Sequence, residues 1–170
     1  YIGNNNLFKS DMRFLLFSNS QCSIGDNNKF YSERTEFRCH SCTNTVIKSF
    51  TLWSQEIQVL NGDGHSIFDL VTKRKTNDYY VLPTEKKTIF VDNGCWIGKR
   101  AMLLTGTHLN EGSIVGANSL VKKKFPNNVI IAGCPGKVIR RNICWTFKND
   151  TTNISDCEPY TKLTQDENEE

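Results

Sequence analysis

The sequence predicts an all-β chain wound as a parallel β-helix, and three observations carry that prediction. From Val91 onward every sixth residue is aliphatic: Val91, Ile97, Leu103, Leu109, Val115 and Val121. Ile, Val and Leu make up 34 of the 170 residues, so six chosen positions agree by chance roughly once in ten thousand trials. Two residues before each anchor stand Ile89, Cys95, Ala101, Thr107, Ser113 and Ser119, small in all but the first. After the anchors come Asp92, Gly98, Leu104, Asn110, Gly116 and Lys122, mostly residues that tolerate a turn. A six-residue period is neither helical nor a plain strand alternation. It fits coils of three short flat strands joined by tight corners, with the anchor in the core and the small residue near a corner.

Each part of the chain takes a place in that coil. Ile24 and Phe30, then Ile47, Trp53 and Val59, carry the spacing upstream in rougher form. Ile2 with Gly3-Asn4-Asn5 echoes Ile24 with Gly25-Asp26-Asn27. Between Gly62 and Lys87 the repeat is interrupted, which predicts a loop leaving the prism. After Pro126 the repeat closes with Val129 to Ala132 and Gly133-Cys134-Pro135-Gly136. The stretch from Val138 to Trp145 reads as a short strand or helix lying back on the prism. Residues 1–148 are expected to form the β-helix domain, and 149–170 an acidic, poorly ordered tail.

Composition sets the outer limits. A chain of 170 residues with 38% hydrophobic content fits one domain with a real core and excludes full disorder. No run approaches the roughly 18 consecutive apolar residues of a membrane-spanning helix. The chain opens at Tyr1 with neither an initiator Met nor a secretory pattern, and reads as a trimmed sequence. Seven Cys, an odd number, argue for reduced thiols and a cytoplasmic location. The net charge of +3 hides an asymmetry: residues 150–170 hold seven acids against Lys162 alone. From Lys99 to Lys148 there are nine basic residues and one acid, Glu111. A block that basic points to a polyanionic ligand, either nucleic acid or a phosphorylated small molecule.

Three segments together resemble the hexapeptide-repeat acyltransferases: Cys95-Trp96-Ile97-Gly98, Ile114 to Val121, and Ala132-Gly133-Cys134-Pro135-Gly136-Lys137-Val138-Ile139-Arg140. Within that family the chain is most similar to the galactoside and maltose acetyltransferases and to the O-acetyltransferases of bacterial capsule and lipopolysaccharide. Asp63-Gly64-His65-Ser66-Ile67-Phe68-Asp69 resembles the family's catalytic loop. The resemblance covers about Asn61 to Trp145, roughly half the chain. It implies a left-handed coil, against the usual right-handed crossover, and a homotrimer.

The resemblance also implies roles. His65 would be the general base, since acetyl transfer to a sugar hydroxyl needs a group of near-neutral pKa to take the proton. Read alone, His65 is more simply a surface loop histidine. Asp63 and Asp69 could orient its imidazole, or form turns. Acetyl-CoA would run along the final coils, with backbone contacts at Lys99 and Ala117 and further contacts at Lys122 and Lys123. Lys137 and Arg140 would meet its phosphates. Trp96 could wall the acceptor pocket or pack at a corner, and N–H groups from Trp96 to Lys99 could serve as oxyanion donors. Lys124 and Arg141 read as a solvated face. No metal is expected: Cys39-His40-Ser41-Cys42 has no second pair at zinc spacing, and His40, His65 and His108 do not interlock. Cys95 fills the small-residue slot of the repeat and reads as core.

The expected activity is acetyl-CoA-dependent O-acetylation of a saccharide hydroxyl, in capsule or lipopolysaccharide biosynthesis, with neither nucleic acid nor a membrane span involved. Two alternatives stand beside it. One is a sugar N-acetyltransferase or other acyltransferase of the same fold. The other is a non-enzymatic, basic-faced assembly or polyanion-binding protein, marked by steep salt dependence.

Overall fold

The structure is a computed structural model describing residues 1–9, 11–31 and 33–164. Among the described residues sixteen short strands wind into three parallel sheets that form the faces of a triangular prism, and one more strand joins the first sheet antiparallel. The first face holds β1 (Leu7–Phe8), β4 (Lys29–Phe30), β7 (Leu52–Trp53), β10 (Trp96–Ile97), β13 (Ile114–Val115) and β16 (Ile130–Ala132). The second holds β2 (Met12–Leu16), β5 (Thr35–Cys39), β8 (Gln58–Asn61), β11 (Met102–Leu104) and β14 (Leu120–Val121). The third holds β3 (Gln21–Ile24), β6 (Asn44–Ile47), β9 (Thr88–Val91), β12 (His108–Leu109) and β15 (Lys124–Phe125). The chain visits first, second and third face in turn, so each strand pairs with its counterpart one coil away.

The hexad register is the physical register of the prism. Ile97 lies beside Val115, Leu103 beside Val121 and Leu109 beside Val91. All six anchors are fully buried, and the slot two residues earlier is buried from Ile89 through Ser119. The predicted echo of Ile2 with Ile24 is a parallel bridge between the two.

The turn chemistry sits elsewhere than the sequence suggested. The corner residue with positive φ lies three residues past the anchor, as at Gly94, Arg100, Gly106, Gly112 and Asn118. The residue one past the anchor is instead pressed by the next coil: a Cβ on Gly98 would sit 2.7 Å from the Ala117 nitrogen. Gly is needed at 98 for close approach, not for left-handed backbone.

The upper coils have a different filling. Phe30 stacks on Trp53 at 5.5 Å between ring centroids, and Phe37 lies 5.5 Å from the same indole. The Trp53 N–H donates to Thr51 Oγ1 at 2.7 Å, and Thr51 Oγ1 donates to Asn28 Oδ1 at 2.6 Å. That chain of bonds satisfies the polar atoms that a larger, aromatic core would otherwise strand.

The repeat ends with β17 (Lys137–Arg140), antiparallel to β16, so Val138 to Trp145 begins as a strand folded back on the first face. The boundary expected at residue 148 does not end the packed chain. Trp145 Nε1 donates to the Gly94 carbonyl at 2.6 Å, and the Tyr160 ring lies against Gly94. Asn128, buried between coils, donates through Nδ2 to the carbonyls of Ile143 and Tyr160. Asn142 and Thr164 pair through a backbone N–H in each direction. These polar anchors do not show in apolar periodicity, which is why the segment to Thr164 reads as loose from sequence. Residues 165–170 of the expected tail lie outside the described residues.

Candidate active site

The edge between the second and third faces carries the predicted loop. It leaves at Asn61 and returns through a 3-10 turn, Thr84–Lys87, into β9. The Gly62 N–H donates to Thr105 Oγ1 on the next coil at 2.6 Å, which fixes the take-off. Gly62 has φ +121°, and a Cβ there would collide with the His40 side chain on the coil above. Only Gly lets the loop depart so close to that ring.

His65 stands exposed on this loop. Asn77, buried beneath it, donates from Nδ2 to the His65 carbonyl at 2.8 Å and to Asp63 Oδ2 at 3.0 Å. Tyr79 donates its hydroxyl to the same Asp63 oxygen at 2.7 Å. Burial works to raise the Asp63 carboxyl, but bonds from Tyr79 and Asn77 and the nearby Lys122 and His40 outweigh it and leave it below its usual range. Burial, then the bond to Asp63, pushes the Tyr79 phenol up to about 12. Asp63, Asn77 and Tyr79 thus form a rigid base that holds the His65 backbone.

Neither acid that the sequence offered as an orienter of the imidazole contacts it. Asp63 is engaged by Asn77 and Tyr79, and Asp69 caps a turn through the N–H groups of Val71 and Thr72. Asn77 and Tyr79 were not foreseen. Their signal is a polar–aromatic pair inside an interrupted repeat, which carries meaning only once the loop is folded.

A cavity of about 150 Å³ opens beside His65, lined by His40, Ser41, Lys75, Asn77, Tyr79 and Tyr80 among others. His40 therefore belongs to this site rather than to a zinc motif. Its neighbour Cys39 points into the core and donates its thiol to Thr45 Oγ1 at 3.2 Å, while Cys42 takes a corner position at φ +61°. Among the described residues no group of three or more potential ligands could hold a metal ion. All seven cysteines are free, and burial pushes the Cys95 thiol up to about 12, as fits a core residue.

The residues assigned to the coenzyme divide between two regions. Lys99 and Ala117 stack on the edge between the first and second faces, where the Asn118 N–H donates to the Lys99 carbonyl at 2.9 Å. The turn before Lys137 closes on the same edge, with the Gly136 N–H donating to the Leu120 carbonyl at 2.7 Å. Arg140 follows on β17, exposed like Lys137. Lys122 and Lys123 lie on the His65 edge instead, just past β14. The Lys99 ammonium pairs with Glu56 at 3.1 Å.

Trp96 lies on the first face, away from the His65 cavity. Its ring tilts against Trp145 at 5.7 Å, and Nε1 donates to Ser54 Oγ at 3.4 Å. The N–H groups of Trp96 and Gly98 bond to Ser113 and Val115 in the coil ladder, so they are not free to serve as oxyanion donors.

A three-faced prism of hexads, with His65 tied through its backbone at the rim of a cavity on one edge, defines a hexad-repeat β-helix. No family model matches the chain. Over 126 residues it is 32% identical to the polysialic acid O-acetyltransferase of Escherichia coli O1:K1, spanning 72% of this chain and 39% of that protein. Over 57 residues it is 37% identical to a putative lipopolysaccharide biosynthesis O-acetyl transferase, WbbJ, of E. coli K12, spanning 34% of this chain and 29% of that protein. The solved structure of NeuO, a polysialic-acid-specific acetyltransferase, superposes with a TM-score of 0.80 at 26% identity, covering 92% of this chain and 63% of that one. In sequence and in fold the chain is similar to the hexapeptide-repeat acyltransferases. It spans less than two thirds of the length of these relatives.

Proposed function

We propose that this chain transfers an acetyl group from acetyl-CoA to a saccharide hydroxyl, in the cytoplasmic assembly of a bacterial capsule or lipopolysaccharide. The observation that carries the reading is the placement of His65, whose backbone is tied by Asn77 at the rim of a polar cavity. Relatives named as O-acetyltransferases of polysialic acid and of lipopolysaccharide support the same class of acceptor. In this reading the His65 imidazole takes the hydroxyl proton as the sugar oxygen attacks the thioester carbon. The thiolate leaves as the tetrahedral intermediate collapses, and the imidazolium returns the proton to sulfur.

The coenzyme's diphosphate and 3′-phosphate suit Lys137 and Arg140, and its amide-rich arm suits the flat edge at Lys99 and Ala117. Because that edge is not the His65 edge, one copy alone does not assemble both halves. A homotrimer brings the His65 edge of one copy, with Lys122 and Lys123, against the Lys99 edge of the next.

Turnover of acetyl-CoA against a panel of free, lipid-linked and polymeric saccharides tests the activity. His65→Ala should lower kcat by about two to four orders of magnitude with little change in acetyl-CoA affinity. Wild-type turnover in that variant sinks the mechanism. Mixing His65→Ala chains with chains carrying Lys137→Ala and Arg140→Ala should restore part of the activity, since some interfaces then hold two intact edges. No recovery in mixed oligomers argues that each copy works alone.

A further inference from the structure

His40 shares the cavity with His65 but has no part in the mechanism above. Its position is fixed from several sides. The His40 N–H donates to the Asn61 carbonyl at 2.7 Å, and its own carbonyl accepts from Thr43 N–H at 3.1 Å and Thr43 Oγ1 at 2.7 Å. The ring lies between Phe17, stacked at 5.4 Å, and Tyr79, tilted at 6.2 Å. Gly62 closes over its Cβ. These contacts hold the plane of the ring.

That orientation leaves Nδ1 buried, with no hydrogen-bond partner. The polar atom of only one other side chain, Asn61 Oδ1, shares this condition among the described residues. A buried N–H without an acceptor is the costlier of the two ways to strand a ring nitrogen, because orphaned donors are rarer than under-used acceptors. The proton therefore belongs on Nε2, and Nδ1 keeps its lone pair. Of the two nitrogens, Nε2 is the one left to face the cavity.

We propose that His40 is a second substrate-facing residue of this site, presenting a fixed Nε2–H donor to an oxygen of the acceptor sugar. This rests on the acetyltransferase reading of the His65 cavity. The two histidines then have opposite tasks: His65 accepts the proton of the reacting hydroxyl, and His40 donates to a neighbouring hydroxyl or ring substituent. Two contacts on adjacent sugar oxygens fix which hydroxyl meets His65. Stacking by Phe17 and the tilted Tyr79 ring beside it make the donor stiff, so it discriminates by position.

The test has two arms. Long-range proton–nitrogen NMR of the ¹⁵N-histidine protein, with His40 assigned by its loss in His40→Gln, reads the tautomer without any turnover. The expected spectrum shows a protonated Nε2 and a bare Nδ1, and a proton on Nδ1 overturns the proposal. In the second arm, His40→Phe keeps the stacked ring and removes the donor, while His40→Gln keeps an amide N–H near the place of Nε2. The acceptor KM should rise about three- to tenfold in His40→Phe, the range for one neutral hydrogen bond. It should stay within about twofold in His40→Gln. An unchanged acceptor KM in His40→Phe, or an equal rise in both variants, overturns the proposal. A wild-type protein that acetylates no saccharide overturns the acetyltransferase reading and this one with it, and the tautomer then still reports the state of His40.

Discussion

Two edges of the prism are regular and the third is not. Between the third and first faces the core anchors stand six residues apart in every coil, from Ile24 to Phe30 down to Phe125 and Ile131. Between the first and second faces the same spacing holds, with one extra residue between Phe30 and Phe37. Between the second and third faces it changes in nearly every coil. Ten residues separate Phe37 from Ile47, thirty-two separate Val59 from Val91, six separate Leu103 from Leu109, and four separate Val121 from Phe125. The irregular edge is the one that bears His40, His65 and the cavity. Extra chain added at one corner leaves the ladders on either side in register, as the pairing of Val59 with Leu103 shows across the largest insertion. The fold confines its variation to a line, and the cavity with its two histidines lies along that line.

The largest expected effects come from treating the regular edges like the irregular one. Four residues inserted between Arg100 and Ala101 should prevent folding, because every later anchor would leave its sheet. The same insertion between Lys73 and Arg74 should leave the melting temperature within a few degrees. Circular dichroism melts of both proteins decide the matter, and equal outcomes would abolish the distinction between edges. Leu109→Asp belongs with the first case. It places a carboxylate among Val91, Phe125 and the other buried anchors with no cation to pair it. A folded, soluble product would show that the hexad register has been misread.

An intermediate effect is expected where the chain past residue 148 packs on the third–first edge. Deleting residues 155–170 removes Tyr160 from Gly94 and strips Asn128 of one of its acceptors. A stranded buried amide costs about 1–3 kcal/mol, or several degrees in the melting temperature of a chain this size. No shift would mean that the contacts to Thr164 contribute nothing.

The smallest effect concerns acid. Burial works to raise the Asp63 carboxyl, but the bonds from Tyr79 and Asn77 hold it below its usual range, with Lys122 adding to their effect. A folded value lowered in this way gives a contribution present above about pH 4 and lost as pH falls through the folded value. Protonation there should loosen the loop base before the prism itself unfolds. Tyr79 fluorescence or hydrogen exchange at Asn77 should change in that window in the wild type and be flat in Asp63→Asn. A flat wild-type profile would detach the loop from Asp63.

How much of this could be read in the sequence follows the same division. The anchors from Val91 to Val121 announce the prism because a coil of constant length writes its period directly into the chain. Upstream the anchors are equally regular on two edges, but the ten-residue corners after Phe14 and Phe37 break the period and hide it. His65 was legible through a resemblance in the loop. Asn77, Tyr79 and His40 were not, since they meet His65 only through the fold, from the far end of the loop and from the previous coil. The chain to Thr164 is not legible because asparagine and threonine side chains and two aromatic rings outside any period fasten it.

The geometry of the loop at 62–87 bears on how such proteins diversify. Its two ends, Asn61 on β8 and Thr88 on β9, are held by neighbouring coils whatever lies between them. Doubling the length of a flexible connection costs only about 0.6 kcal/mol in closure entropy. A lineage can therefore vary the part of the segment beyond His65, and with it one wall of the cavity, while inheriting the prism unchanged. The shape of the cavity becomes a cassette, free to change at almost no risk to folding.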